Sequence, residues 1–195
     1  MADVSAALEI DAATGLLKGA RQVLSPHFDA RPAGVAADLI VVHGISLPPQ
    51  QFDGPWIDHL FAGTLPADAH PFFAELAGQR LSAHALIRRD GRIVQYVAFG
   101  ARAWHAGKSE YQGRSHCNDF SIGIELEGAE AVAYTAVQYA TLAALIAALL
   151  RRYATLSPER LVGHSDIAPG RKSDPWGSFD WQRLRAELAG QRPRD

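Results

Sequence analysis

The chain of 195 residues has a single cysteine, Cys117, which leaves no partner for an internal disulfide and excludes the disulfide frameworks of small secreted proteins. Charge of one sign is also missing. Nineteen Lys and Arg face 21 Asp and Glu, a formal net charge of −2 with no basic block, so a broad nucleic-acid surface is not expected. No hydrophobic run is long enough to cross a bilayer, because the most apolar stretch, 139–150, stops at Arg151 and Arg152. The N-terminus carries Asp3, Glu9 and Asp11 and lacks the basic start of a secretory signal. Repeats and low-complexity tracts are absent too. These absences imply a soluble protein of a reducing compartment, cytoplasmic, with no nucleic-acid or membrane partner. Its length fits one domain over 1–195.

What is present alternates between strand and helix patterns. "DLIVVHG" (38–44) is a β-branched run closed by glycine, the mark of a buried strand. "SAHALIRRDGRIVQYV" (82–97) reads as a hairpin around Asp90-Gly91, a dipeptide suited to a type I′ turn. In "FSIGIELEG" (120–128), Ile122, Ile124 and Leu126 share one face, and Gly123, Glu125 and Glu127 share the other. The period becomes helical over 135–153, where Thr135 and Gln138 form a capping-box pattern and Val137, Leu142, Leu145, Ile146 and Leu149 form a stripe. Shorter helices are expected from Pro55-Trp56 and over 181–188, and "RLVGH" (160–164) is a last strand. The sum is an α/β domain with a central mixed sheet flanked by helices. Long loops at 44–55, 64–80 and 100–118 are where function is expected.

Two histidines, His43 and His164, each end a strand and enter a proline-containing loop. Asp174 follows His164 by ten residues, with Lys172 between them. Two imidazoles and a carboxylate suit Zn²⁺, and three protein ligands leave a fourth position open, the pattern of a catalytic site. No compact signature such as HExxH supports this, so spacing alone leaves His105 as a rival ligand. His84, inside a strand, reads as a core residue, and His27, His59 and His70 have no distinguishing context. Glu125 and Glu127 lie on what would ordinarily be a solvated strand face. If that face instead lines a metal cleft, either is a candidate general base, Glu125 first.

The motifs "HGISLPP" (43–49), "GPWID" (54–58), "RAWHAG" (102–107), "CNDFSIGIELEG" (117–128) and "GHSDIAPGRKSDP" (163–175), with the hairpin sequence, resemble the zinc amidase and peptidoglycan-recognition superfamily. Within it the similarity is to the cytoplasmic 1,6-anhydro-N-acetylmuramyl-L-alanine amidases of bacterial cell-wall recycling, over about 25–181. The resemblance implies one zinc per chain on His43, His164 and Asp174, Glu125 as general base and Lys172 as stabiliser of the transition state. It implies contacts to an anhydro-muropeptide from Arg80, Ala103 and Trp104, with His105 beside them. Gly44 stands where familiar members have Asn, His116 where at least one has a substrate-binding Arg, and Trp176 where Gly is usual. The rival readings are an amidase of intact murein and a non-catalytic peptidoglycan-binding module. Oligomeric state is not legible.

Overall fold

The computed structural model describes residues 8–191; residues 1–7, which hold much of the N-terminal stretch read for a signal, and 192–195 lie outside it. The strands are β1 Arg21–Gln22, β2 Phe28–Asp29, β3 Leu39–Ile45, β4 Ala85–Ile87, β5 Ile93–Gln95, β6 Arg102–Ala103, β7 Glu110–Tyr111, β8 Arg114–Ser115, β9 Ser121–Glu127 and β10 Leu161–Gly163. The helices are α1 Trp56–Ala62, α2 Ala136–Arg152, α3 His164–Ile167 and α4 Trp181–Gly190. Six strands make the central sheet in the order β1-β5-β4-β9-β3-β10. Only β4 and β5 pair antiparallel, so the sheet is mixed as expected.

Parallel strands at the centre of a sheet need cover on both faces. Beneath α2, Ile40 and Val42 of β3 meet Ile122, Ile124 and Leu126 of β9 and Leu142, Leu145, Ile146 and Leu149 of the helix. The opposite face of β9 carries Ser121, Gly123, Glu125 and Glu127, and all seven residues of the strand are buried. The alternation read from the sequence is correct. The solvated outer face is not, because loops and neighbouring side chains cover β9 there as well.

Local chemistry sets the ends of the elements. Thr135 Oγ1 accepts from the Gln138 amide at 3.2 Å and Gln138 Oε1 accepts from the Thr135 amide at 3.0 Å, closing the capping box of α2. Loss of such a cap typically costs about 1 kcal/mol. The hairpin differs from expectation in one detail. Gly91 is left-handed (φ 84°) while Asp90 is not, the Gly91 amide donates to the Arg88 carbonyl, and the Arg88 amide donates to the Arg92 carbonyl. That is a type I turn with a glycine bulge, since a type I′ turn needs positive φ at both central residues. Val137 packs against this turn rather than in the core, and a Cβ on Gly91 would stand 2.6 Å from its Cγ2. Among the described residues, no helix is long and apolar enough to cross a membrane.

The register then places the chemistry. In the parallel pair β3–β9, His43 sits opposite Glu125, and β10 on the other side of β3 leads directly into His164. All three lie at the carboxyl ends of parallel strands, where open α/β sheets form their crevices.

Candidate metal centre

Asp174 reaches the two histidines from the loop after α3, where its own carbonyl accepts the Ser165 amide at 2.9 Å. His43 Nδ1 lies 3.0 Å from His164 Nδ1, and Asp174 Oδ2 lies 3.1 Å from His164 Nδ1 and 3.4 Å from His43 Nδ1. The three side chains are buried. Ligands bound at 2.0–2.2 Å to a tetrahedral ion stand roughly 3.3–3.6 Å apart, close to these separations.

The outward sides of the two imidazoles determine what faces inward. His164 Nε2 lies 3.3 Å from the Ala106 carbonyl, which can only accept, so the ring proton sits on Nε2 and Nδ1 is a bare lone pair. The same logic runs through a longer chain to His43. Ser121 Oγ donates to the Cys117 carbonyl at 2.5 Å and so accepts from His105 Nε2 at 3.2 Å. His105 Nδ1 is then free to accept from His43 Nε2 at 2.9 Å, leaving His43 Nδ1 bare as well. Two nitrogen lone pairs and a carboxylate oxygen therefore converge with no proton assigned between them. Such a donor set repels itself until a cation occupies the centre, and these three residues fit a divalent metal ion.

Protonation states agree with this. Burial pushes the His43 pKa down to about 4, outweighing the opposing pull of the Asp174 carboxylate, so the imidazole is neutral at ordinary pH. Burial would raise the Asp174 carboxyl, but its close contacts with His164 and His43 outweigh it and hold it well below the usual carboxylate range.

Glu125 is the unpartnered group of the site. It is 8 % exposed, and its Oε2 is buried without a hydrogen-bond partner. Burial, and secondarily the Asp174 charge, pushes its carboxyl well above the usual range, with Lys172 opposing. Glu127, on the same strand face, is saturated instead: it takes Arg88 Nη1 at 3.0 Å, the Asp53 amide at 2.8 Å and the Arg89 amide at 3.3 Å. Structure thus separates two carboxylates that the alternation alone treats as equivalent.

A cleft of about 380 Å³ opens over the cluster, and Gly44, Trp104, Glu125, Lys172 and Trp176 line it. Lys172 is exposed at its rim. The guanidinium of Arg80 lies 5.1 Å over the ring of Trp104. Two expected contacts are not brought there. Ala103 is wholly buried, paired with Phe28, and His116 faces a separate hollow with Ser109 and Arg171. His105 is not a rival ligand, because its Nδ1 is spent on His43 Nε2. His84 is the core histidine expected of it: Nδ1 accepts the Gly123 amide at 3.0 Å and Nε2 faces the Ala101 carbonyl at 3.1 Å.

Three contributors went unread in the sequence. Ser121 anchors His105. Gly123 makes room for it, since a Cβ there would stand 2.4 Å from the imidazole. Asn118 Oδ1 accepts the amides of His105 and Ala106 at 3.0 and 2.8 Å, fixing the loop that carries both. Ser121 and Gly123 share the parity of Glu125 in "SIGIE", which was the available signal.

A family model described as N-acetylmuramoyl-L-alanine amidase matches residues 33–177. The chain belongs to the N-acetylmuramoyl-L-alanine amidase family. Among its relatives, the 1,6-anhydro-N-acetylmuramyl-L-alanine amidase AmpD of Escherichia coli (strain K12) is 61 % identical over 171 residues, covering 88 % of this chain and 93 % of that protein. A crystal structure of a selenomethionine derivative of AmpD superposes with a TM-score of 0.87 at 59 % identity, covering 90 % of this chain and 97 % of the other. A complex of the E. coli amidase AmiD with anhydro-N-acetylmuramic acid-L-Ala-D-γ-Glu-L-Lys matches at 30 % identity and a TM-score of 0.57, over 77 % of this amidase and 57 % of that chain. The mixed sheet flanked by helices is thus the amidase fold, as the motifs implied.

Proposed function

We propose that this amidase hydrolyses the amide between the lactyl group of 1,6-anhydro-N-acetylmuramic acid and L-alanine in soluble muropeptides, with one zinc per chain, in cytoplasmic cell-wall recycling. The observation that carries the reading is the orphaned carboxylate Glu125 beside three converging lone-pair donors. A non-catalytic binding module has no use for a buried, unpaired carboxyl, which is costly to keep. The names of the relatives support the substrate class.

His43, His164 and Asp174 would hold the zinc. When bound, it supplies Lewis acidity toward the scissile carbonyl and acidifies water, from a pKa of 15.7 in bulk to about 7 in well-studied zinc enzymes. Glu125, with no competing hydrogen bond on Oε2, accepts the proton of the attacking water and returns it to the leaving alanine amine. Lys172, on the same cleft, offers an ammonium to the oxygen on which negative charge develops. Trp104 and Arg80 present an indole and a cation to the substrate at the cleft mouth.

The test is release of L-alanyl peptide from an anhydro-muropeptide by the purified protein, with zinc and after chelation, followed by mass spectrometry beside intact murein. Zinc-dependent release with a clear preference for the soluble muropeptide is expected. Preference for murein would remove the recycling assignment, and undiminished activity after complete metal removal would remove the zinc.

A further inference from the structure

Gly44, immediately after the ligand His43, has no room for a side chain. An ideal Cβ there would stand 2.4 Å from Trp176 Cζ3 and 2.4 Å from the Tyr134 hydroxyl. Its backbone lies outside the left-handed region, so glycine is required by space and not by conformation. What fills the space is the indole of Trp176, a residue held at φ 62°, which a bulky side chain adopts only under constraint. The constraint is visible: the Trp176 amide donates to the Ser173 carbonyl at 3.0 Å, and Tyr134 Oη donates to the Pro175 carbonyl at 3.2 Å. Trp176 is half-buried, packs on the main core through one side, and lines the metal cleft with Gly44, Glu125 and Asp174. Its indole N–H has no acceptor among the described residues. Two separate departures in the sequence thus meet as one feature.

On the function proposed above, we infer that Trp176 is a specificity-determining residue whose indole takes the anhydro-sugar of the substrate. The chemistry favours that half of the ligand. The peptide stem carries carboxylates, which call for cations such as Lys172 and Arg80, whereas an indole offers a flat apolar face and one donor. The bicyclic anhydro-muramyl ring is uncharged, and it presents C–H groups to stack on and oxygens to accept the free N–H. A left-handed backbone that glycine would adopt without cost is kept for a tryptophan because of what the ring does in the cleft.

The experiment compares wild type, Trp176→Gly and Trp176→Phe, zinc-loaded, on two substrates. One is the anhydro-muropeptide and the other an N-lactoyl-L-alanyl peptide with the same stem but no sugar. Trp176→Gly should raise KM for the muropeptide about 3- to 10-fold, the range of one aromatic contact, with kcat changed less than about twofold. Its KM for the lactoyl peptide should not change, and Trp176→Phe should restore most of the loss. Packing on the core predicts a lower thermal midpoint for Trp176→Gly, partly offset by relief of the left-handed backbone, whereas only loss of the sugar contact raises KM for the muropeptide and not for the lactoyl peptide. Unchanged KM, or an equal rise on both substrates, would overturn the inference. Failure of wild type to cleave the muropeptide would instead overturn the function on which it rests.

Discussion

His43 donates through Nε2 to Nδ1 of His105 at 2.9 Å, and His105 passes the constraint on through Nε2 to Ser121 Oγ at 3.2 Å. A histidine that the sequence offered as a ligand is therefore the group that orients a member of the candidate donor set.

Removal of such an orienting hydrogen bond typically weakens metal binding by about 10- to 100-fold. His105→Ala and Ser121→Ala should each do so, His105→Ala more, while the fold and the Asp174–His164 contact persist. Competition against a chromophoric chelator measures the affinity directly, without reference to turnover. Gly123→Ala should mimic His105→Ala, because its methyl displaces the same ring. An affinity for zinc unaltered in all three variants would show that His43 needs no such support.

The two carboxylates of β9 should part company in mutation. Glu125→Gln should retain zinc and lose about 10²- to 10⁴-fold in kcat, the usual share of a general base. Glu127→Ala removes no group from the cleft. It strips a buried Arg88 of one of its two carboxylate partners, the other being Asp58 at 3.1 Å. Breaking a buried pair from one side costs roughly 3–5 kcal/mol, so the prediction is a large fall in melting temperature with the metal-loaded kcat of the folded fraction preserved. Glu127→Ala should thus be mild for the chemistry and severe for stability.

Much of this site was legible because strand parity and motif order are local properties. "LIVVH" and "SIGIE" give the strands and the faces of His43 and Glu125. That β9 lies beside β3, with His43 opposite Glu125, is a matter of sheet order, set by packing between segments about 80 residues apart and invisible in either segment. The burial of the Glu125 face has the same origin, since it depends on what covers it. His105 sits 62 residues from His43, and its role follows from one backbone carbonyl, that of Cys117 acting through Ser121, which no side-chain pattern reports. Ala103, expected as a substrate contact from the resemblance alone, lies buried in β6 opposite Phe28, a pairing between distant segments that no local pattern reports.

Glu125 also gives the metal-free protein a distinctive pH dependence. Its folded pKa is raised above the unfolded value near 4.5, chiefly by burial. Stability from this group is therefore complete below pH ~4.5 and is lost as pH rises through the folded pKa, where ionisation is forced on an unpaired buried group. Glu125→Gln has no proton to lose. The melting temperatures of metal-free wild type and Glu125→Gln should diverge as pH rises from about 4 to 8, with the variant becoming the more stable. Zinc should narrow the gap by placing a cation beside the carboxylate. A difference independent of pH would mean that Glu125 is not desolvated as the structure has it.

Lys172 lines the cleft and Arg80 lies over the Trp104 ring that lines it, so the two cations should fail differently. Lys172→Ala should lower kcat by about 10²- to 10³-fold, the cost of losing one donor to a developing oxyanion, with zinc content intact. Arg80 is exposed and lies 5.1 Å over the Trp104 ring, so its charge should act on the substrate's carboxylates across solvent. A protein of net charge −2 gives such a ligand no general attraction, which leaves local cations to supply it. Arg80→Ala should raise KM a few-fold at low ionic strength and leave kcat alone. The Debye length shrinks from about 30 Å at 0.01 M salt to about 8 Å at 0.15 M, so the effect should fade over that range. Steady-state kinetics of the variant at both salt concentrations checks this, and a KM ratio insensitive to salt would assign Arg80 to packing on Trp104 instead of recognition.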